Sequence, residues 1–163
     1  MKFADFVCFE AIILELKASD RDGAIAELVS VLDKAGRLGK GNCAEIIKAV
    51  IEREKEASTG MGKGIAVPHV KHQAVKDVVA AIGQSSAGID FSALDKQPVY
   101  SVMLLVSPVD DPDRHYRRWK IFSSICRRID SEGFSDNHKR SSRLKTCWPR
   151  PMKIHLYYSG EGV

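Results

Sequence analysis

The run "VYSVMLLV", Val99 to Val106, constrains the fold more than any other stretch of the chain. It is nearly continuous in apolar side chains, has the length of a strand, and is bounded by Pro98 and Pro108. A strand that is apolar on both alternating faces has to be covered on both, so it belongs inside a sheet with other elements packed against it. The neighbouring segments alternate in period. Ile12 to Leu16 and Val78 to Ile82 have strand character, whereas Ile25, Leu28, Val29 and Leu32 recur at helical spacing and mark one apolar helix face. Ser19, with Asp22 three residues on, is expected to cap that helix, and Gly36 to end it. A second helix is expected from about Asn42 to Glu54, burying Ile46, Ile47, Val50 and Ile51. A third opens at Asp111 and Pro112, with Ile121, Phe122, Ile125 and Ile129 on its apolar face. Interleaved strands and helices predict an α/β fold, a mixed β-sheet flanked by helices.

Composition narrows the function classes. A chain of 163 residues suits one core, and 44% hydrophobic with 28% charged residues argues against a disordered chain. No apolar stretch approaches the roughly 20 residues that a spanning helix needs. Asp5, Glu10 and Glu15 interrupt the N-terminal apolar region and spoil a secretory signal, so no direct membrane insertion is expected and the cytoplasm is the default location. Four scattered cysteines without a CxxC pair argue against a zinc ribbon or a disulfide framework. The net charge of +4 is concentrated in the tail. Residues 1–130 hold 19 Lys and Arg against 18 Asp and Glu, and residues 131–163 hold 6 against 3. A nearly neutral body speaks against a nucleic-acid partner, which would need a basic face. Lys139, Arg140, Arg143 and Lys145 are the residues that would serve one.

The segment "GMGKGIAVPHVKH", Gly60 to His72, carries the chemistry. A phosphate-binding P-loop would need glycine at position 65, and a dinucleotide fingerprint would need glycine at the same place; Ile65 excludes both. His69 and His72, with His115 as a third ligand, offer only weak metal spacing and no acidic partner beside them, so no metal and no cofactor are expected. His69 can be a packed strand-end histidine or a working one. Three features favour work. Pro68 fixes the backbone immediately before it, Gly62 and Gly64 are expected to leave room for an approaching group, and a neutral imidazole offers a nucleophilic nitrogen. A phosphoryl group there would need positive charge nearby, for which Arg53 and His115 are the candidates.

Glu54 through His69, "EKEASTGMGKGIAVPH", resembles the active-site signature of enzyme IIA domains of the fructose/mannitol class in the bacterial phosphotransferase system. "STGMGKGIAVPH" is closest to the nitrogen-regulatory branch, and "GIDFSALDKQPV", Gly88 to Val99, is similar to the segment between two strands of that family. The resemblance covers residues 1–133 and implies an enzyme IIA type-2 fold. It also implies phosphorylation of His69 on Nε2, phosphate stabilisation by Arg53 in "ERE", and a second active-site histidine, His115, in "DPDRHYRRW". Thr59 and Ser58 are either phosphate-binding hydroxyls or simply turn residues. The implied donor is a histidine-containing phosphocarrier protein. The implied recipient is a cysteine of an enzyme IIB, or else a regulated protein that responds to the phosphorylation state.

Two positions depart from the family pattern. Val70 stands where a small residue usually follows the histidine, and residues 134–163 form an atypical basic tail, divergent or frame-shifted, with one strand-like run at Lys153 to Tyr158. These departures motivate an alternative, a regulatory binding module that kept the fold without transferring phosphate.

Overall fold

The structure is a computed structural model, and it describes residues 7–109. The expected third helix, His115, the strand-like run at Lys153 to Tyr158 and the boundary near residue 134 lie outside the described residues. Eight elements follow in chain order: β1 (Val7–Ile13), α1 (Arg21–Lys34), α2 (Cys43–Glu56), β2 (Gly60–Gly62), β3 (Ile65–Ala66), β4 (His69–Lys71), β5 (Val79–Ile89) and β6 (Val99–Ser107).

The apolar run Val99 to Val106 becomes β6, an interior strand of a mixed six-stranded sheet in the order β1-β5-β6-β3-β2. β5 runs antiparallel to β6, while β1 is parallel to β5, and β3 and β4 are both parallel to β6. β3 and β4 are successive segments laid along the same neighbour: Ile65 and Ala66 pair with Ser101 and Val102, and His69 to Lys71 pair with Leu105 to Ser107. Between them Pro68 has no N–H to give the ladder, but its carbonyl still accepts the Leu105 N–H at 3.0 Å.

Both faces of this strand are buried, as its composition demands. On one face Val102, Leu104 and Val106 join Ala24, Ile25, Leu28, Val29 and Leu32 of α1 and Ile46 and Val50 of α2 in the larger core. The other face carries a second apolar cluster of Ile65, Val67, Val78, Ala80, Ile82, Met103 and Leu105. Both described helices therefore pack on one side of the sheet. They are 14 residues each, and among the described residues no helix is long and apolar enough to cross a membrane.

Several boundaries differ from expectation for identifiable reasons. The first strand is Val7–Ile13, earlier than Ile12 to Leu16. It is an edge strand parallel to β5, so it buries Cys8 and Ala11 while tolerating the exposed Glu10. Asp20, not Ser19, caps α1, its carboxylate accepting the Gly23 N–H at 3.2 Å. Gly23 makes room for that cap, since a Cβ there would lie 2.8 Å from the Asp20 Oδ1. Asn42 precedes α2, but its amide donates to the Gly39 and Lys40 carbonyls and caps no helical N–H. β5 runs to Ile89, well past Ile82, because β6 continues to pair with it through the small and polar residues that follow.

Candidate functional site

The segment Gly60 to Ala66 folds as a tight hairpin, β2 against β3. Lys63 (φ 54°) and Gly64 (φ 78°) are both left-handed, the backbone pattern of the two-residue turns that match strand twist. Gly62 (φ 86°) is left-handed as well. A Cβ on Gly60 would sit 2.7 Å from the Ala93 Cα, one on Gly62 3.0 Å from the Asp95 carboxylate, and one on Gly64 2.9 Å from the Tyr100 ring. The expectation that Gly62 and Gly64 leave room for an incoming group is therefore corrected: the chain's own loop and β6 occupy that room. Asp95 closes the arrangement, accepting the N–H groups of Lys63 (2.8 Å) and Gln97 (3.1 Å). Those bonds, the one from Lys63 foremost, hold its carboxyl below the usual aspartate range.

The hairpin delivers the chain to His69, which opens β4 instead of closing the preceding strand. Alternation along the extended segment puts Ile65, Val67 and His69 on one face, in register with Leu105. His69 is half-buried at the end of that row. Its Nδ1 lies 3.0 Å from the Val67 carbonyl oxygen. A carbonyl can only accept, so Nδ1 carries the hydrogen, and in the neutral ring the lone pair belongs to Nε2.

Val70 points the other way. Its side chain packs against the larger core beneath α2, on the face opposite His69. The departure from the family's small residue is absorbed by packing on the face away from the imidazole. His72 is not a companion ligand. It is buried, its Nδ1 accepts the Ala74 N–H at 3.1 Å, and its Nε2 stands 3.7 Å from the exposed Glu45 carboxylate on α2. Among the described residues no group of three or more His, Cys, Asp or Glu side chains is gathered as a metal would require.

Arg53 lies in the last turn of α2, where Nη1 donates to the Ala57 carbonyl at 3.0 Å. That bond satisfies an acceptor just past the end of the helix and engages one of the five guanidinium N–H donors. Ser58 donates its hydroxyl to the Phe91 carbonyl at 2.6 Å, and Thr59 donates its hydroxyl to Glu54 at 2.7 Å. A hydroxyl has one hydrogen to give. The expectation that these two donate to phosphate is at odds with an arrangement in which both hydrogens are spent within the chain.

Glu54 is the residue that the sequence reading passed over. It is 2% exposed and receives the Thr59 N–H (2.5 Å) as well as its hydroxyl. The signal was present, since position 54 continues the Ile46 and Val50 row at helical spacing, and an acid on an apolar stripe needs a buried partner.

Comparison with known proteins agrees with this architecture. The family model of the phosphoenolpyruvate-dependent sugar phosphotransferase system, EIIA 2, matches residues 6–144. The chain is 35% identical over 123 residues to the fructose-specific EIIA component of Haloferax volcanii, covering 76% of this chain and 77% of that one. It is 32% identical over 128 residues to the fructose-specific EIIABC component of Bacillus subtilis, covering 78% of this chain but only 20% of that longer protein. A nitrogen regulatory protein of Bradyrhizobium diazoefficiens is 33% identical over 108 residues, covering 66% of this chain and 69% of that one. Among solved structures, nitrogen regulatory protein IIA-Ntr from Neisseria meningitidis shares the fold with a TM-score of 0.67 at 23% identity, over 88% of this chain and 96% of that one. The IIA mannitol enzyme of Escherichia coli, in its complex with phosphorylated IIB, aligns with a TM-score of 0.65 at 21% identity, over 86% and 95% of the two chains. The chain belongs to the EIIA 2 family of the phosphotransferase system, whose members matched here carry both sugar-specific and nitrogen-regulatory names.

Proposed function

We propose that the protein is a phosphocarrier in which His69 Nε2 accepts a phosphoryl group from a phosphorylated histidine carrier protein. The observation that carries this reading is the Nδ1 bond of His69 to the Val67 carbonyl, which leaves the lone pair on the far nitrogen. As Nε2 bonds to phosphorus, the donor's phosphorus–nitrogen bond breaks and its electron pair returns to the donor ring. Positive charge then builds on the His69 imidazole, and the Nδ1–H bond to the carbonyl strengthens as it becomes charge-assisted. Arg53 supplies cationic charge for the moving phosphoryl group, and His115, outside the described residues, is the second active-site histidine that the resemblance implies. The group then passes to an enzyme IIB, or the phosphorylated form is itself the signal to a regulated protein. Such an exchange between soluble partners fits the cytoplasm. The mannitol relative, captured with phosphorylated IIB, supports transfer to a partner of that kind.

The test is incubation of the full chain with phosphorylated histidine carrier protein, followed by native mass measurement. An acid-labile phosphate adduct is expected on the parent and none on a folded His69→Ala. A parent without adduct, or an adduct that survives in His69→Ala, overturns the reading.

A further inference from the structure

We infer that Glu54 is a positioning residue for His69, acting through Thr59 and Val67. The inference rests on the reading of His69 as the phosphoryl acceptor. The two residues are joined by a continuous line of hydrogen bonds. The buried Glu54 carboxylate takes both donors of Thr59, its N–H at 2.5 Å and its hydroxyl at 2.7 Å. The Thr59 carbonyl takes the Val67 N–H at 3.1 Å. The Val67 carbonyl takes the His69 Nδ1–H at 3.0 Å.

Each link removes a freedom that the next one needs fixed. A carboxylate that binds the backbone N–H and the side chain of one residue holds both its backbone orientation and its rotamer, so the Thr59 carbonyl has one direction. That carbonyl anchors Val67 from outside the short β3 ladder, which itself ends at Ala66. Pro68 follows, with its own carbonyl bonded to the Leu105 N–H, so the Val67 oxygen is gripped from both sides. That oxygen sets the tautomer and the ring plane of His69. An imidazole that turns even modestly no longer aims Nε2 at an incoming phosphorus, and misplacement of this order costs up to about a hundred-fold in rate.

A carboxylate that only tied α2 to the hairpin would affect stability and leave the histidine ring unchanged, and this separates the two roles. The variants are Glu54→Gln, Glu54→Ala, Thr59→Val and Thr59→Ser, made in the full chain. Two quantities are measured on each: the ¹⁵N ring shifts of His69, which report the tautomer, and the single-turnover rate and half-saturation for phosphorylated carrier protein. Thr59→Ser keeps both donors and should match the parent. In Glu54→Gln and Thr59→Val the Nδ1–H tautomer should lose its dominance. The rate at saturating donor should drop about ten- to a hundred-fold, with half-saturation unchanged because a buried carboxylate and a hydroxyl turned onto it offer the donor no contact. Should Glu54→Ala fail to fold, the other variants still decide. Ring shifts identical to the parent in folded Glu54→Gln and Thr59→Val would overturn the inference, as would a loss confined to half-saturation. A parent that takes no phosphoryl group defeats the proposed function instead, and the ring shifts alone then settle whether Glu54 positions His69.

Discussion

The Nδ1 of His69 is hydrogen-bonded to the carbonyl of Val67, two residues earlier on the same extended segment. Under the proposed function this bond makes Nε2 the acceptor of the phosphoryl group for as long as the Val67 carbonyl keeps its direction. Phosphorus coupling in the NMR spectrum of the phosphorylated, ¹⁵N-histidine-labelled protein should accordingly appear on Nε2. Coupling on Nδ1 would mean that the ring leaves the Val67 carbonyl before it reacts.

The proposed function gives Arg53 a second task beside its bond to the Ala57 carbonyl, and one substitution separates the two. Arg53→Ala should slow phosphorylation by about 10²–10³, the cost of losing one electrostatic stabiliser of the transition state. Loss of the exposed bond to the Ala57 carbonyl should lower stability by no more than about 1 kcal/mol. Thermal unfolding beside a single-turnover rate checks both numbers. A rate that falls no more than the folded fraction does would confine Arg53 to capping α2.

Val70→Ala tests the direction in which residue 70 faces. The side chain packs into the larger core away from His69, so truncation should lower stability by about 1–2 kcal/mol, the worth of the apolar groups removed. The phosphorylation rate of the folded protein should stay within two-fold of the parent, roughly the resolution of the assay on the tenfold-per-1.4 kcal/mol scale. A marked acceleration would place Val70 in the path of the donor after all.

Asp95 gives the hairpin a definite response to pH. Its carboxyl is held below the ordinary aspartate range by the Lys63 and Gln97 N–H groups, so the folded state favours its ionised form. The stabilisation is full above the unfolded aspartate value and is lost as pH falls through the lower, folded one. Asp95→Ala should therefore be less stable than the parent at neutral pH, and the two should converge under acid below the normal carboxylate range. Melting curves of both proteins across that range measure the difference. A gap that stays constant with pH would assign the loss to packing against Gly62 and not to the charge.

The sheet was legible in the sequence because its interior strand advertises itself: no amphipathic helix carries "VYSVMLLV" between two prolines. α1 and α2 were legible through their apolar rows. The edge strand was misplaced because β1 is chosen by its pairing with β5, and local composition around Ile12 does not encode that pairing. His69 stood out through Pro68 and the family motif. The glycines before it were misjudged because their reason lies 30 or more residues away, in Ala93, Asp95 and Tyr100, and a one-dimensional pattern does not report who fills the space at a missing Cβ. Glu54 was passed over although it continues the Ile46 and Val50 row, because the Thr59 N–H and hydroxyl that make its burial tolerable come from the loop beyond the helix.

Gly60→Ala is the direct test of that reassessment. The added methyl would meet the Ala93 Cα at 2.7 Å, and a backbone atom in a loop tied back to Gly60 by the Leu94 N–H cannot step aside as a flexible side chain does. Overpacking of this kind should cost about 1–3 kcal/mol, read as a lowered denaturation midpoint. Affinity of the remaining folded protein for phosphorylated carrier protein should be unchanged. Weakened binding at full stability would restore the view of these glycines as clearance for a partner, and the hairpin would then be part of the docking surface.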